Sequence, residues 1–241
     1  MRDHRGEPVY LADVTAEPAA LTIAQTGPRG RFALYFDEVA DSVQITATRF
    51  GFGVTPPMAN VAMTTTTTPF FILPPVDERV ADGGFEIGDL AAWRPSGDPR
   101  PRLSDHAHTG RFAAQLGASQ PAPGAGPRQS SLEQDIVLPP VSTQPVLSLL
   151  YQSNGAAAGD ALIVALLGAD PPVTYTLPIA LTGWQHWWQE LIVSGAPTVT
   201  LRIAWTQANA DHVASVLVEE ISLGPLARGV YRAWLPMLKQ Q

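Results

Sequence analysis

Cysteine is absent from this 241-residue chain, and charged residues make up only 15% of it. The lack of cysteine excludes disulfide bonds, thiolate metal sites and a cysteine nucleophile, and it leaves the redox compartment undetermined. Basic residues are also few, with 15 lysines and arginines against 22 aspartates and glutamates, so the net charge is −7. Because binding to nucleic acid needs clustered basic residues, we expect no nucleic-acid partner.

Long apolar runs are missing as well. The longest run, residues 161–169, is far shorter than the ~20 residues that a membrane-spanning helix needs, so we expect no transmembrane segment. The first seven residues, MRDHRGE, are charged and lack the apolar stretch of a secretory signal. If the protein is exported, its signal is expected upstream of a start that this chain does not show.

Proline and glycine are abundant, with 23 and 20 residues, and runs of helix-forming residues are absent. This composition favours short strands joined by turns, which predicts an all-β protein. The length allows one to two domains. Within 43–48, apolar residues alternate with polar ones, the period of a strand with one solvated face.

We predict two modules and a tail, at residues 1–77, 78–225 and 226–241. Residues 30–34, 43–51 and 70–73 resemble the carboxypeptidase-regulatory-like β-sandwich domains, which implies that 1–77 is such a sandwich with an incomplete beginning. Five threonines at 64–68 suit either an exposed strand or an O-glycosylated stalk, and their apolar flanks favour the strand. The tail at 226–241, with its Leu-Pro step, fits a sorting signal or an added edge strand.

Six segments of the second module resemble, in order, the strands of carbohydrate-binding, galactose-binding-like jelly rolls. They are residues 82–93, 108–117, 131–139, 145–152, 200–205 and 218–223. The resemblance implies a β jelly-roll sandwich that binds a polysaccharide or a surface glycan and holds a structural calcium ion. It also implies a non-catalytic part of an exported bacterial multi-domain protein, with an extracellular or cell-surface location.

Residue parity and the resemblance together suggest a calcium site. With Phe85 anchored inward on a strand, Glu86 would point to the opposite side, beside a glycine-rich turn whose oxygens suit a hard cation. The resemblance adds backbone oxygens around Thr109 and Arg111, and carboxylates from the pair Glu219 and Glu220, which stand where the family usually has two aspartates. The alternative is that one of these two glutamates is an inward cap and the other a solvated charge.

The same parity argument gives a candidate ligand face. Along 184–193, Leu191 and Val193 mark the core side, which leaves Trp188 on the outer side. A flat exposed ring suits stacking on a sugar, and polar side chains nearby would bind its hydroxyls. The predicted ligand residues are Trp184, His186, Trp188, Glu190, Gln152 and Arg202. The alternative is that this outer face packs against the first module, the tail or another subunit.

Catalysis finds little support in the sequence. Glu133 and Asp135 share a strand face but have no evident partner, and no phosphate loop or nucleophile elbow is present. Trp93 and Trp205 lie among apolar strand residues and are expected in the core. The leading hypothesis is therefore a binding module. The alternatives are a structural surface component or spacer that self-assembles, and the accessory region of a secreted hydrolase.

Overall fold

The structure is a computed structural model, and all structural statements below concern the residues that it describes. These are residues 1–9, 11–17, 24–34, 36, 42–49, 52, 58–62, 72–73, 75, 77–118, 120–121, 126–140, 144–179, 182–192 and 198–225. Their regular structure consists of strands, with no helix among them, which confirms the all-β prediction. Consequently, none of the described residues forms a helix long and apolar enough to cross a membrane. The threonine run and the tail lie outside the described residues.

The first part of the chain forms a small sheet over its own apolar cluster. The strands are β1 (Arg2–Asp3), β2 (Asp13–Glu17), β3 (Ala24–Gln25), β4 (Ser42–Thr48), β5 (Met58–Ala62) and β6 (Ile72–Leu73). Antiparallel pairing gives the order β3-β2-β4-β5, and β1 pairs in parallel with β6. Val43, Ile45 and Ala47 face the cluster together with Val14, because strand side chains alternate between the two faces.

The second part of the chain is a sandwich of two antiparallel five-stranded sheets. The strands are β7 (Arg94–Asp98), β8 (Arg102–Ser104), β9 (Ala113–Gly117), β10 (Arg128–Val137), β11 (Val146–Asn154), β12 (Ala161–Leu167), β13 (Val173–Leu177), β14 (Gln185–Glu190), β15 (Thr198–Gln207) and β16 (Ser215–Gly224). One sheet, sheet D, has the order β13-β12-β15-β10-β7, and the other, sheet E, has the order β14-β11-β16-β9-β8. The chain crosses repeatedly between the sheets, as in a jelly roll.

The core lies between these sheets and collects one face of each strand. Leu201, Ile203 and Trp205 of β15 meet Leu147 and Leu149 of β11, and all five are fully buried. Trp93 is buried in the same core. The predictions that Trp93 and Trp205 are core residues and that 218–223 belongs to the last strand are therefore confirmed.

The segment 82–93 is not the predicted strand. Residues 81–84 and 86–87 form turns, and β7 begins only at Arg94. Phe85 has a φ of 60°, which is incompatible with an extended strand. Its ring is nevertheless fully buried and lies 5.8 Å from that of Trp93. The apolar residues of this segment thus reach the core from a coiled loop, which hydrophobic patterning alone does not separate from a strand.

The residues that follow the proline pair at 74–75 are fixed against β16. The Arg79 N–H donates to the Leu223 carbonyl at 2.8 Å, and the Leu223 N–H donates to Oε1 of Glu78 at 2.8 Å. A Cβ atom on Gly224 would lie only 2.3 Å from Cγ of Pro75. Pro75, Glu78 and Arg79 therefore lie close along the last strand of the sandwich.

Candidate functional site

Strand β14 forms one edge of sheet E and presents the predicted aromatic face. Trp187 packs against the core and Leu191 is fully buried, whereas Trp188 is 38% exposed and Ile192 is 83% exposed. This distribution agrees with the predicted alternation. On β11, the residues that pair with His186 and Trp188 are Leu150 and Ser148. Both are buried although they face away from the core, so this end of the outer face is covered.

A turn from the N-terminal segment contacts this face. The Asp3 carboxylate accepts the N–H groups of Arg5 and Glu7, both at 2.9 Å, and the Gly6 N–H donates to the Asp3 carbonyl at 2.9 Å. These bonds fix the turn. Gly6 has a φ of 77°, and a Cβ atom there would lie 3.5 Å from Nε1 of Trp188. The turn therefore approaches the indole closely.

Arginine side chains of this segment flank the indole. The guanidinium carbon of Arg5 lies 5.6 Å from the Trp188 ring centroid, within cation–π range. Its Nη2 is 3.9 Å from the Glu190 carboxylate. An open cavity of about 460 Å³ lies here, lined by Arg2, Arg5, Gly6, His186 and Trp188. Three predicted ligand residues, His186, Trp188 and Glu190, are thus at or beside one cavity.

The other three predicted ligand residues do not line this cavity. Gln152 follows the buried Tyr151 on β11, so it shares the outer face of sheet E. The Trp184 ring lies 5.9 Å from that of His108, at the loop that precedes β9. The prediction that Arg202 lies beside Trp188 is wrong, because β15 belongs to sheet D and not to the sheet of Trp188. Its guanidinium group contacts Gln129 at 3.1 Å and Glu133 at 3.5 Å.

Several carboxylates of the predicted calcium site converge on the loop 108–112. Both oxygens of Glu219 accept the His108 N–H, at 3.0 and 2.9 Å, and Oε1 also accepts the Thr109 N–H at 2.9 Å. The Thr109 hydroxyl donates to Glu220 at 2.7 Å. Consecutive strand residues normally face opposite sides. Here the β11–β16 register shifts, and Glu220 has a φ of 49°, so both glutamates reach Thr109.

Glu86 joins the same loop from the coiled segment. Its Oε1 accepts the N–H groups of Arg111 at 2.8 Å and Phe112 at 3.0 Å. Gly110 has a φ of 63°, and a Cβ atom there would lie 2.3 Å from Oε1 of Glu86. The missing side chain therefore makes room for the carboxylate. Thr109 and Arg111 are both in contact with the glutamates that the resemblance associated with them.

Electrostatic repulsion accumulates in this cluster. Burial, followed by the charge of Glu220, raises the pKa of Glu219 well above its usual value. Burial, followed by the charges of Glu86 and Glu78, raises the pKa of Glu220 to about 7. Burial also raises the pKa of Glu78. A nearby cation would offset this repulsion.

The carboxylates alone do not complete a metal shell. Among the described residues, no group of three or more His, Cys, Asp or Glu side chains is placed so that it could hold a metal ion. In the contacts described above, Thr109 and Arg111 donate hydrogen bonds to the glutamates. Carboxylate and hydroxyl oxygens nevertheless have the chemistry that calcium prefers. Calcium binding would require the glutamates to exchange some of these bonds for the ion and to share it with backbone oxygens.

The outer face of sheet D is polar and differs from that of sheet E. Asp135 pairs bidentately with Arg94 at 2.7 and 2.9 Å and accepts the Thr200 hydroxyl at 2.6 Å. Glu133 lies beside Arg202. Each of the two carboxylates that share this strand face therefore has a basic neighbour, as in an ordinary solvated salt-bridge network.

Comparisons with known proteins give likenesses of structure only. No protein-family model matches the chain, and no curated protein matches it. The structure of TmCBM61 in complex with beta-1,4-galactotriose is 15% identical, with a TM-score of 0.49 over 61% of this chain and 98% of that one. A carbohydrate-binding module of the beta-sandwich superfamily is 12% identical, with a TM-score of 0.41 over 90% of this chain and 86% of that one. Another similar structure is the enzymatically active domain of bacteriophage CBA120 tailspike protein 4. It is 13% identical, with a TM-score of 0.45 over 64% of this chain and 22% of that one.

Strands β7 to β16 together form a β jelly-roll sandwich. The strand order described above defines this fold. One fold can host many functions, so the ligand has to be argued from the site itself.

Sequence reasoning missed the residues that reach each site from the N-terminal side. Arg2 and Arg5 lie in the charged start of the chain, which gave no sign of a partner 180 residues away. Glu78 lies three residues after Pro75, in a stretch where no site was predicted. Only its position before a turn into a new module distinguishes it, and that signal is weak.

Proposed function

We propose that this protein binds carbohydrate without catalysing its breakdown, through the outer edge of sheet E around Trp188. The observation that carries the proposal is a partly exposed indole at an open cavity of about 460 Å³ that also holds His186. An aromatic face contacts the apolar side of a pyranose, and polar groups at the rim bind its hydroxyls. The ligand class is a polysaccharide or a surface glycan, which suits an extracellular or cell-surface protein of bacterial origin.

The role proposed for each residue follows from its place. Trp188 stacks on the sugar, while His186 and Glu190 supply hydrogen bonds beside it. Gln152 extends the polar part of the same face. Trp184 lies toward His108 and is a boundary of the site. Arg202 is left out because it lies on the other sheet.

A binding assay on a glycan array and on insoluble polysaccharides tests this function. Trp188→Ala should abolish binding, because the stacking surface is removed. Ile192→Ala is the matched control, since it removes an exposed apolar side chain just past the end of the same strand. Equal binding by the wild type and Trp188→Ala would overturn the site, and the absence of any binding by folded protein would overturn the function.

A structural calcium ion is the second part of the proposal. Glu86, Glu219 and Glu220 would hold it, with oxygens of the loop that contains Thr109 and Arg111. The support is the convergence of these carboxylates on one loop and the left-handed conformation of Glu220, a strained backbone state that often marks a functional position. The ion would stabilise the fold by offsetting repulsion. Calcium should raise the unfolding temperature of chelator-treated protein, and magnesium, which demands stricter geometry, should raise it less.

A structural spacer is the competing function, and one observation favours it. Arg5 and Gly6 already lie against Trp188, as expected if this face serves to join the two parts of the chain or to assemble copies. In that case Trp188→Ala would lower the unfolding temperature without changing any saccharide binding. Measuring both quantities on the same variant separates the two functions.

A further inference from the structure

The cavity at Trp188 is positively charged although the chain as a whole is acidic. Among the described residues, its lining includes two arginines, Arg2 and Arg5, and no carboxylate, whereas the net charge of the protein is −7. The Glu190 carboxylate lies at the edge, 3.9 Å from Arg5. The Asp3 carboxylate is engaged by backbone N–H groups of its own turn. An anion that enters the cavity therefore meets the guanidinium groups first.

We propose that this cavity selects an acidic saccharide, a sugar that bears a carboxylate or sulfate group. Arg2 and Arg5 bind the anionic group, and Trp188 contacts the ring. The inference rests on the proposed carbohydrate-binding function and narrows its ligand class.

Arg2 and Arg5 are positioned before any ligand arrives. The hydrogen bonds of the Asp3 turn fix their backbone, and Nη1 of Arg2 donates to the Gly6 carbonyl at 2.6 Å. The buried Nε of Arg5 has no hydrogen-bond partner among the described residues. A guanidinium group is planar and presents paired N–H donors, which match the two oxygens of a carboxylate or sulfate. Preorganised donors of this kind lose little entropy on binding.

The neighbouring His186 adds a polar group without a positive charge that would repel the arginines. Burial, followed by the charges of Arg2 and His4, lowers the pKa of His186 to about 4. Its ring is therefore neutral near pH 7, and it can donate or accept a hydrogen bond. Its Nε2 is buried and has no hydrogen-bond partner within the described part of the chain. A sugar hydroxyl would supply that partner.

The site is built from both parts of the chain, so its specificity depends on their contact. Trp188 and His186 belong to β14, whereas Arg2, Arg5 and Gly6 come from the segment around β1. The volume of about 460 Å³ lies within the ~300–1,000 Å³ typical of small-molecule sites. A jelly roll without residues 2–6 would keep the indole of Trp188 but would lose the two arginines that select an anionic sugar.

Calorimetry on the full 241-residue chain, with any tag at its C-terminal end, tests the inference. The ligands are an oligogalacturonate, a sulfated galactan oligosaccharide and a neutral galacto-oligosaccharide, each in 20 and 200 mM NaCl. The variants are Arg5→Gln, Arg5→Lys and Trp188→Ala. The control is Arg102→Gln, which removes an equal charge from β8 at the opposite edge of the same sheet.

We expect an acidic oligosaccharide to bind most tightly, with affinity falling as salt rises. Arg5→Gln should lower that affinity about ten-fold or more, Arg5→Lys should lower it less, and Arg102→Gln should leave it unchanged. Preference for the sulfated over the uronate ligand, or the reverse, supports the inference and identifies the group. Equal binding of neutral and acidic ligands, unaffected by Arg5→Gln but lost in Trp188→Ala, would overturn it and leave the proposed function intact. Binding of no saccharide would overturn both.

Discussion

At the scale of single residues, Glu220 carries the most unusual combination of features. It has a left-handed backbone conformation, contacts Thr109 and lies beside other carboxylates. An ordinary solvated glutamate needs none of these. Glu219 lies beside Glu220 and is fully buried, which raises its pKa well above the usual value. The stability of the protein should therefore respond to pH and to cations through this cluster.

In the presence of a chelator, we expect the free energy of unfolding to fall by about 1 kcal/mol or more as the pH rises from 6.5 to 8. The pKa of Glu220 is about 7 in the folded protein and 4.5 in the unfolded chain. Between these values the folded state binds more protons, so stability is lost as the pH rises through 7. Urea unfolding at the two pH values measures the change.

Three histidines make the stability of the protein fall at low pH. Burial lowers the pKa of His4, His108 and His186 to about 4, below the value of 6.5 in the unfolded chain. Their contribution to stability is therefore full above pH 6.5 and is lost as the pH falls toward 4, opposite in sign to that of the glutamates. Maximum stability is expected near pH 6.5. A free energy that stays constant or rises from pH 6.5 to 8 would contradict the glutamate pKa values.

Glu220→Gln should raise the unfolding temperature at pH 8 without calcium and reduce the increase that calcium produces. Glutamine keeps the size and a hydrogen-bonding oxygen but removes one repelling charge. Differential scanning calorimetry with calcium and with chelator measures both effects. Glu17→Gln, at an exposed end of β2, is the control and should change neither. An unchanged calcium response in Glu220→Gln would exclude this residue as a ligand.

At the scale of elements, the coiled segment 81–93 is held in place by a close backbone approach to β16. The Ile221 N–H donates to the Gly83 carbonyl at 3.1 Å. A Cβ atom on Gly83 would lie 1.8 Å from the Ile221 carbonyl oxygen, so no other residue fits. This contact places Phe85 in the core and Glu86 at the loop 108–112. The segment therefore links core packing to the carboxylate cluster.

Gly83→Ala should destabilise the protein by about 3 kcal/mol or more, because the backbone of β16 cannot yield like a side chain. Gly126→Ala is the matched control, since a Cβ atom there meets nothing within 4 Å. Chemical unfolding of both variants gives the comparison. The calcium response of Gly83→Ala should also fall, because Glu86 is displaced. Similar stability of the two variants would mean that β16 does not hold this segment.

At the scale of the whole molecule, the outer face of sheet E depends on the N-terminal part of the chain. Val146, Ser148 and Leu150 face away from the core and are buried. The contacts that reach their neighbours on β14 come from Arg5 and Gly6. Burial of such a face requires a covering element, since exposed apolar strands are prone to associate. The two parts of the chain are expected to stabilise each other.

A fragment of residues 77–225 should therefore unfold at a lower temperature than the same residues in the full chain, and it should bind more of a hydrophobic dye. Removing residues 1–76 exposes Leu150 and its neighbours. Thermal scans of fragment and full chain, with dye fluorescence, measure both changes. Arg5→Gln in the full chain is the control, because it removes one contact and keeps the cover. Equal unfolding temperatures would show that residues 1–76 contribute nothing to this face.

The amino-acid sequence alone predicts the all-β class, the core position of Trp205 and the outward position of Trp188. These features follow from composition and from the alternation of side chains along a strand, which are local properties. Three features are visible only in the folded chain: Arg202 belongs to the other sheet, Arg5 reaches Trp188, and both Glu219 and Glu220 reach Thr109. Strand order, long-range contacts and a register shift depend on how distant segments pack, and an alternating pattern contains no record of them.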